Sequence, residues 1–262
     1  MREIIGMADW LNTPAGQYLR GWEQACLRAS VSDVFGFHAL QLGLPEIDVL
    51  DANRMPHRWV ANNQGLASGT QLALDFSALP FPEQSLDLVV MPHTLELDSD
   101  PHGVLREAAR VLVPEGRVII CGFNPISLWG LAQRRSQAYQ RLGFGSDFLP
   151  QGLSPLGNWR LRDWLRLLNL ELDTEQSQFG CFRPALRSQA WLERFGFMDR
   201  LGGRWWPILG AAYLLVAVKR LHGMTLHSPV RAKKPRVAGA PVSVANRAQA
   251  VTDHSRKGEE PN

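Results

Sequence analysis

The chain is short of most features by which a sequence advertises its chemistry. Its 262 residues hold three cysteines. Cys26, Cys121 and Cys181 lie far apart, with no CxxC or Cys/His ligand spacing. A zinc site and a disulfide framework are therefore not indicated, and a reducing cytoplasm is the expected compartment. There is no GxxxxGK[ST] phosphate loop, no HExxH and no GxSxG, which removes P-loop, zinc-hydrolase and α/β-hydrolase readings. The N-terminal MREIIGMADWLNTPAG has no continuous apolar stretch followed by a small-residue cleavage site, which argues against secretion. The apolar run Trp205 to Val218 has 14 residues, too few to cross a bilayer, and reads as a buried final strand. No repeat of fixed period is visible.

Charge of one sign is also scarce in the body. Up to residue 222 there are 21 Lys/Arg against 22 Asp/Glu, and from Gly223 onward seven against three. The basicity belongs to the tail, so the body lacks the clustered positive face that nucleic-acid binding requires. No nucleic-acid partner is expected. The tail, rich in Ala, Pro and Val without periodicity, reads as a disordered basic extension over 223–262.

What is present is a run of alternating elements. At 45% apolar and 20% charged side chains, the chain is able to bury a sizeable core. Thr13 and Pro14 mark a helix start, and Leu19, Trp22, Cys26 and Leu27 follow at helical spacing, so an N-terminal helical segment is expected within 1–35. HALQLG, HRWVAN, TQLALDF ending at Asp75, and LDLVVMP read as four strands. SDPHGVLREAARVL reads as a helix capped by Ser99 or Asp100, Pro114-Glu-Gly116 as a tight turn, and RVIICGF as a buried fifth strand. This alternation predicts an α/β fold with a doubly wound, mostly parallel sheet over 36–222. The segment 125–159, rich in Gly, Pro and aromatics with Arg134, Arg135 and Arg141, is expected to be a cap insertion. A helix in RLRDWLRLLNL, strands in LELDTEQSQFG and YLLVAVKR, and a helix in ALRSQAWLERFGF complete the chain.

In such a sheet a ligand sits beyond the carboxyl ends of the strands. Those ends carry Gly43, Asp75 with Phe76, Met91-Pro92-His93 and Gly122-Phe123-Asn124. Gly43 either lets a cofactor approach the backbone or serves a turn with positive φ. Asp75 either accepts from an adenine or ribose group or caps the turn before Ser77. His93 is either a base or donor, or a structural histidine. Glu96, Asp98 and Asp100 are most simply explained by the positive end of the following helix.

The stretch ALDFSALPFPEQSLDLVVMPHTLELDSDPHGVLREAARVLVPEGRVIICGFNP closely resembles the central block of class I S-adenosylmethionine-dependent methyltransferases of the small-molecule, methyltransferase type 11 branch. The match lies in the D-x-x-x-LPF turn, the strand with its aspartate, the RE-x-x-RVL helix and the following turn and strand. The resemblance implies a seven-stranded Rossmann-like sheet, S-adenosylmethionine as cofactor, and methyl transfer to a small-molecule acceptor. It places Gly43 on the first glycine of the cofactor loop, Asp75 and Phe76 near the adenine, and Pro92 and His93 at the methionine end, with His93 the candidate catalytic base. The family's loop would continue with two alternating glycines after an acid two before the first. Here Gln41 and Leu44-Pro45-Glu46 stand instead. No acid follows the second strand, and Asn62, or Asp51 if that strand is misplaced, is the nearest ribose candidate.

Two readings stay open: an active methyltransferase with an atypical loop, and a methyltransferase-like scaffold whose insert, with Trp129, Arg134, Arg135 and Trp159, contacts a partner. The apolar WWPILGAAYLLVAV run adds the expectation of a lipid-like acceptor or peripheral membrane contact.

Overall fold

A computed structural model describes residues 6–63, 65, 68–142, 147–186 and 188–220. The basic tail lies outside the described residues. The sheet has seven strands: β1 (His38–Leu42), β2 (His57–Asn62), β3 (Leu72–Ala73), β4 (Leu86–Pro92), β5 (Leu112–Phe123), β6 (Leu170–Gly180) and β7 (Ala212–Lys219). Their order is β3-β2-β1-β4-β5-β7-β6. All pairs are parallel except those of β7, which is antiparallel to both neighbours. The central strands are almost continuously apolar because both faces are covered: every residue of β4 except Asp87, and every residue of β7 except Lys219, is buried.

Eight helices flank it among the described residues: α1 (Met7–Trp10), α2 (Pro14–Ser32), α3 (Thr94–Leu97), α4 (Pro101–Val111), α5 (Leu128–Arg141), α6 (Asn158–Leu167), α7 (Gln189–Arg194) and α8 (Phe197–Trp205). One face of the sheet is covered by α2, whose Leu19, Leu27 and Val31 join Leu88, Ile119 and Leu214. The other is covered by α4 and α6, through Val104, Leu105, Ala108, Leu161 and Leu165. α2 starts as the sequence dictates: Thr13 Oγ1 accepts from Gly16 N at 3.1 Å and Pro14 occupies the first turn, an arrangement that satisfies an otherwise orphaned donor. The connection from β1 to β2 contains only a 3₁₀ turn at Leu50–Ala52, so α2, which precedes β1, supplies the packing on that face.

Three expectations are corrected. The third strand is confined to Leu72–Ala73, because TQLALDF lies at the sheet edge with β2 as its only neighbour. Pro114-Glu-Gly116 is a bulge inside β5: pairing with β4 jumps from Leu86↔Leu112 to Leu88↔Arg117, and Glu115 takes φ +64°. The run Trp205–Val218 is divided. Its second half is β7, while Trp205, Trp206, Ile208 and Leu209 are exposed.

Candidate functional site

The strand order reverses between β1 and β4, and there a ligand-sized crevice is expected at the carboxyl ends. A pocket of about 270 Å³ lies there, lined by Gly43, Leu44, Asn62, Phe76, Pro92 and Thr94 among others. Four of the expected positions, Gly43, Phe76, Pro92 and Asn62, thus meet in one cavity. Met7 of α1 and Gln151 of the loop after α5 complete its wall; neither was legible in the sequence, since each comes from a segment with no strand end of its own.

The β1 loop turns sharply because two successive residues are left-handed, Gly43 at φ +80° and Leu44 at φ +44°. Glycine accepts this freely, whereas leucine does so at a cost of about 1 kcal/mol. Gln41 explains how the loop holds without the family's glycines. Its side chain is fully buried, and Nε2 lies 3.2, 3.0 and 3.0 Å from the carbonyls of Gly43, Leu44 and Ile47. The amide gathers three carbonyls of the loop, of which Leu44 O also accepts from Ile47 N at 3.0 Å. A carboxylate there would face three oxygens, so glutamine is what this loop requires.

Phe76 is positioned by a second clamp. Leu79 N donates to Glu107 Oε2 at 3.0 Å, while Arg110 donates to Leu79 O and Phe81 O, each at 3.0 Å, and its Nε donates to Glu107 Oε1 at 2.9 Å. The RE-x-x-R pattern of α4 therefore ties down the turn that follows Phe76. Asp75 itself is exposed and does not line the pocket. Its Oδ1 accepts from Ser77 N at 2.9 Å and Ser77 Oγ at 2.7 Å, and those hydrogen bonds hold its carboxyl below the usual range. Oδ1 is thereby committed to capping the turn. Asp51 also lies away from the pocket, paired with Arg28 at 2.7 Å.

His93 occupies the left-handed region, φ +53°, directly between β4 and α3. It does not face the pocket. The ring is 0% exposed, with Nδ1 2.8 Å from Glu96 Oε2 and Nε2 2.7 Å from Glu23 Oε1. Burial alone would push its pKa down, but the charge and hydrogen bond of Glu23, then those of Glu96, outweigh this and lift it to about 10. The ring is thus an imidazolium that donates from both nitrogens. The expected general base has no nitrogen open to a substrate, because both are consumed by glutamates.

Glu96 is the matching correction. It does not serve a helix terminus: it is buried, its Oε1 accepts from Phe123 N at 2.8 Å, and burial raises its pKa against the pull of His93. Asp100, by contrast, does cap α4, accepting from Gly103 N at 2.9 Å. Glu23 was missed, though the sequence carried a signal: it sits midway between Leu19 and Leu27, at spacing four, on the buried stripe of α2. An acid on a core stripe implies a buried partner.

No helix of the described residues is long and apolar enough to cross a membrane, and no group of His, Cys, Asp and Glu among them could hold a metal.

Residues 46–120 match a methyltransferase domain family. YafS of Escherichia coli is 32% identical over 244 residues, which is 90% of this chain and 91% of YafS. A demethylmenaquinone methyltransferase of Tropheryma whipplei is 46% identical over 46 residues, 18% of this chain and 19% of that protein. Among solved structures, the Haloferax volcanii complex of the Trm112 methyltransferase activator with a methyltransferase superposes with a TM-score of 0.52 at 16% identity, covering 82% of this chain and 96% of that one; an S-adenosylmethionine-dependent methyltransferase of Thermotoga maritima superposes with a TM-score of 0.52 at 15% identity, covering 78% of this chain and 95% of that one. The sheet order and switch-point crevice are those of the class I methyltransferase fold, residues 46–120 match a methyltransferase domain, and the chain belongs to one family with YafS.

Proposed function

We propose that the pocket between β1 and β4 binds S-adenosylmethionine and that the chain transfers its methyl group to a small-molecule acceptor in the cytoplasm. The observation that carries this reading is the convergence of Gly43, Asn62, Phe76, Pro92 and Thr94 on one cavity at the switch point. The donor set fits the cofactor. Phe76 offers an apolar wall for the adenine, Asn62 an amide for ribose hydroxyls, and Glu46, exposed on the pocket rim, a carboxylate for the ammonium group. Asp75 stands beside Phe76, and its Oδ2 is the acceptor we assign to the adenine amino group.

When bound, the cofactor supplies an electrophilic methyl carbon on a sulfonium. The residues of this chain align and enclose. Pro92 and Thr94 set the floor at the methionine end, α1 covers the pocket, and His93 acts as a positioning residue that fixes the β4–α3 turn from behind. Alignment of a nucleophile with a reactive carbon is itself a large rate factor, and no side-chain base is assigned.

The test is incubation of the full chain with methyl-tritiated S-adenosylmethionine and a deproteinised cell extract. Label is expected in the small-molecule fraction and absent with Gly43→Val, which cannot adopt φ +80° without strain. Label confined to protein or nucleic acid would contradict the small-molecule acceptor. No transfer and no cofactor binding would establish the scaffold reading instead.

A further inference from the structure

The face built by α5, α7, α8 and the following 3₁₀ turn is inverted relative to an ordinary surface. On α8, Gly202 and Asp199 point inward: a Cβ at Gly202 would meet Phe182 at 2.3 Å, and Asp199 Oδ2 accepts from Arg183 Nε at 2.9 Å. That anchoring leaves Phe197, Leu201 and Trp205, at spacing four, as the outward stripe, 55%, 45% and 68% exposed. Trp206 and Ile208 extend it, and Leu128 and Leu131 of α5 are exposed as well. Between α5 and α8 opens a cavity of about 400 Å³ lined by Leu128, Phe182, Leu201, Trp206 and Leu209 among others. Trp129 Nε1 donates to Arg183 O at 2.8 Å, which joins the two segments.

Contiguous exposed apolar surface of this kind marks an interaction site, and the charge around it selects the partner. Residues 125–141 carry three arginines and no acid; residues 183–209 carry five arginines against Glu193 and Asp199. The rest of 1–222 is left with thirteen basic side chains against twenty acids. Arg194 lies over the Trp191 ring at 5.6 Å, and Arg200 and Arg204 flank the α8 stripe, both exposed. Tryptophan with flanking arginine on a short surface helix is the chemistry of the bilayer interface, where the rings enter at headgroup depth and the guanidinium groups remain with the phosphates.

We infer that this face docks peripherally on an anionic lipid bilayer, with the α5–α8 cavity receiving an acyl chain. The inference stands apart from the cofactor reading, since it uses none of the pocket residues.

The experiment is vesicle flotation of the full chain with phosphatidylcholine alone and with phosphatidylglycerol added. The protein is expected to float with the anionic vesicles. Arg200→Gln with Arg204→Gln should weaken binding about tenfold or more. Leu201→Ser with Trp205→Ser should reduce it similarly at unchanged charge, which separates this face from any contribution of the basic tail. Both pairs are exposed, so unchanged thermal unfolding checks that each variant is folded. Flotation of both variants at the wild-type level would overturn the proposal. So would failure of the wild type to float while light scattering shows a dimer that Leu201→Ser with Trp205→Ser dissociates, which would assign the face to a second copy.

Discussion

Two buried polar anchors hold the two strand ends that frame the pocket, and they work by opposite means. At the end of β1, Gln41 is neutral and collects carbonyls. At the end of β4, His93 is charged and lies between Glu23 and Glu96. The first closes its network within a single loop; the second reaches across 70 residues to α2. Neither side chain lines the pocket. A residue one layer behind a site fixes the backbone that does line it, so its identity follows from that backbone's needs rather than from the ligand.

The two anchors should fail differently. The largest effect is expected for His93→Asn. Asparagine tolerates the left-handed backbone, but it leaves two buried glutamates without their cation, and breaking a buried pair costs about 3–5 kcal/mol. Urea unfolding measures this; a loss below about 1 kcal/mol would show that the ring is not the charged centre of the network.

Next is Gln41→Glu, which restores the acid seen elsewhere in the family. Because that carboxylate would face three carbonyls, the substitution is expected to destabilise by about 2–3 kcal/mol and to weaken cofactor binding. Tighter binding by the variant would show that the loop is a damaged version of the family's rather than a different solution.

The charged anchor alone should carry a pH signature. With its pKa raised from 6.5 to about 10, His93 contributes stability that is complete below pH 6.5 and is lost as pH rises through the folded value. Unfolding followed between those limits should show stability falling in the wild type. The slope should be smaller in His93→Asn and unaltered by Gln41→Leu. The smallest effect on stability is expected for Asp75→Ala. The side chain is exposed and caps one turn, so the melting temperature should hardly move while cofactor affinity falls. A marked loss of stability with unchanged affinity would confine Asp75 to its turn.

The sequence resolved the frame better than the anchors. β1, β2, β4 and α4 are legible because buried parallel strands are continuous apolar runs and because Asp100 and Pro101 punctuate a helix start. Gly43, Phe76 and Pro92 could be placed because strand ends converge by topology. His93 was misread, and the loop-holding role of Gln41 was not legible, because sequence position says which strand end a residue follows, not whether its side chain turns toward the ligand or away from it. Glu23 could be recognised only as an acid on an apolar stripe, and its partner lay beyond local pattern. The bulge at 113–116 escaped for a similar reason: Pro-Glu-Gly fits a turn equally well, and only pairing with β4 on both sides makes it part of a strand.

The most direct measurement is isothermal titration of the full chain with S-adenosylhomocysteine, beside Gln41→Glu. The account predicts saturable one-to-one binding to the wild type and weaker binding to the variant. Absence of binding to the wild type at millimolar ligand would contradict the claim that a loop stapled by Gln41 still forms the cofactor pocket.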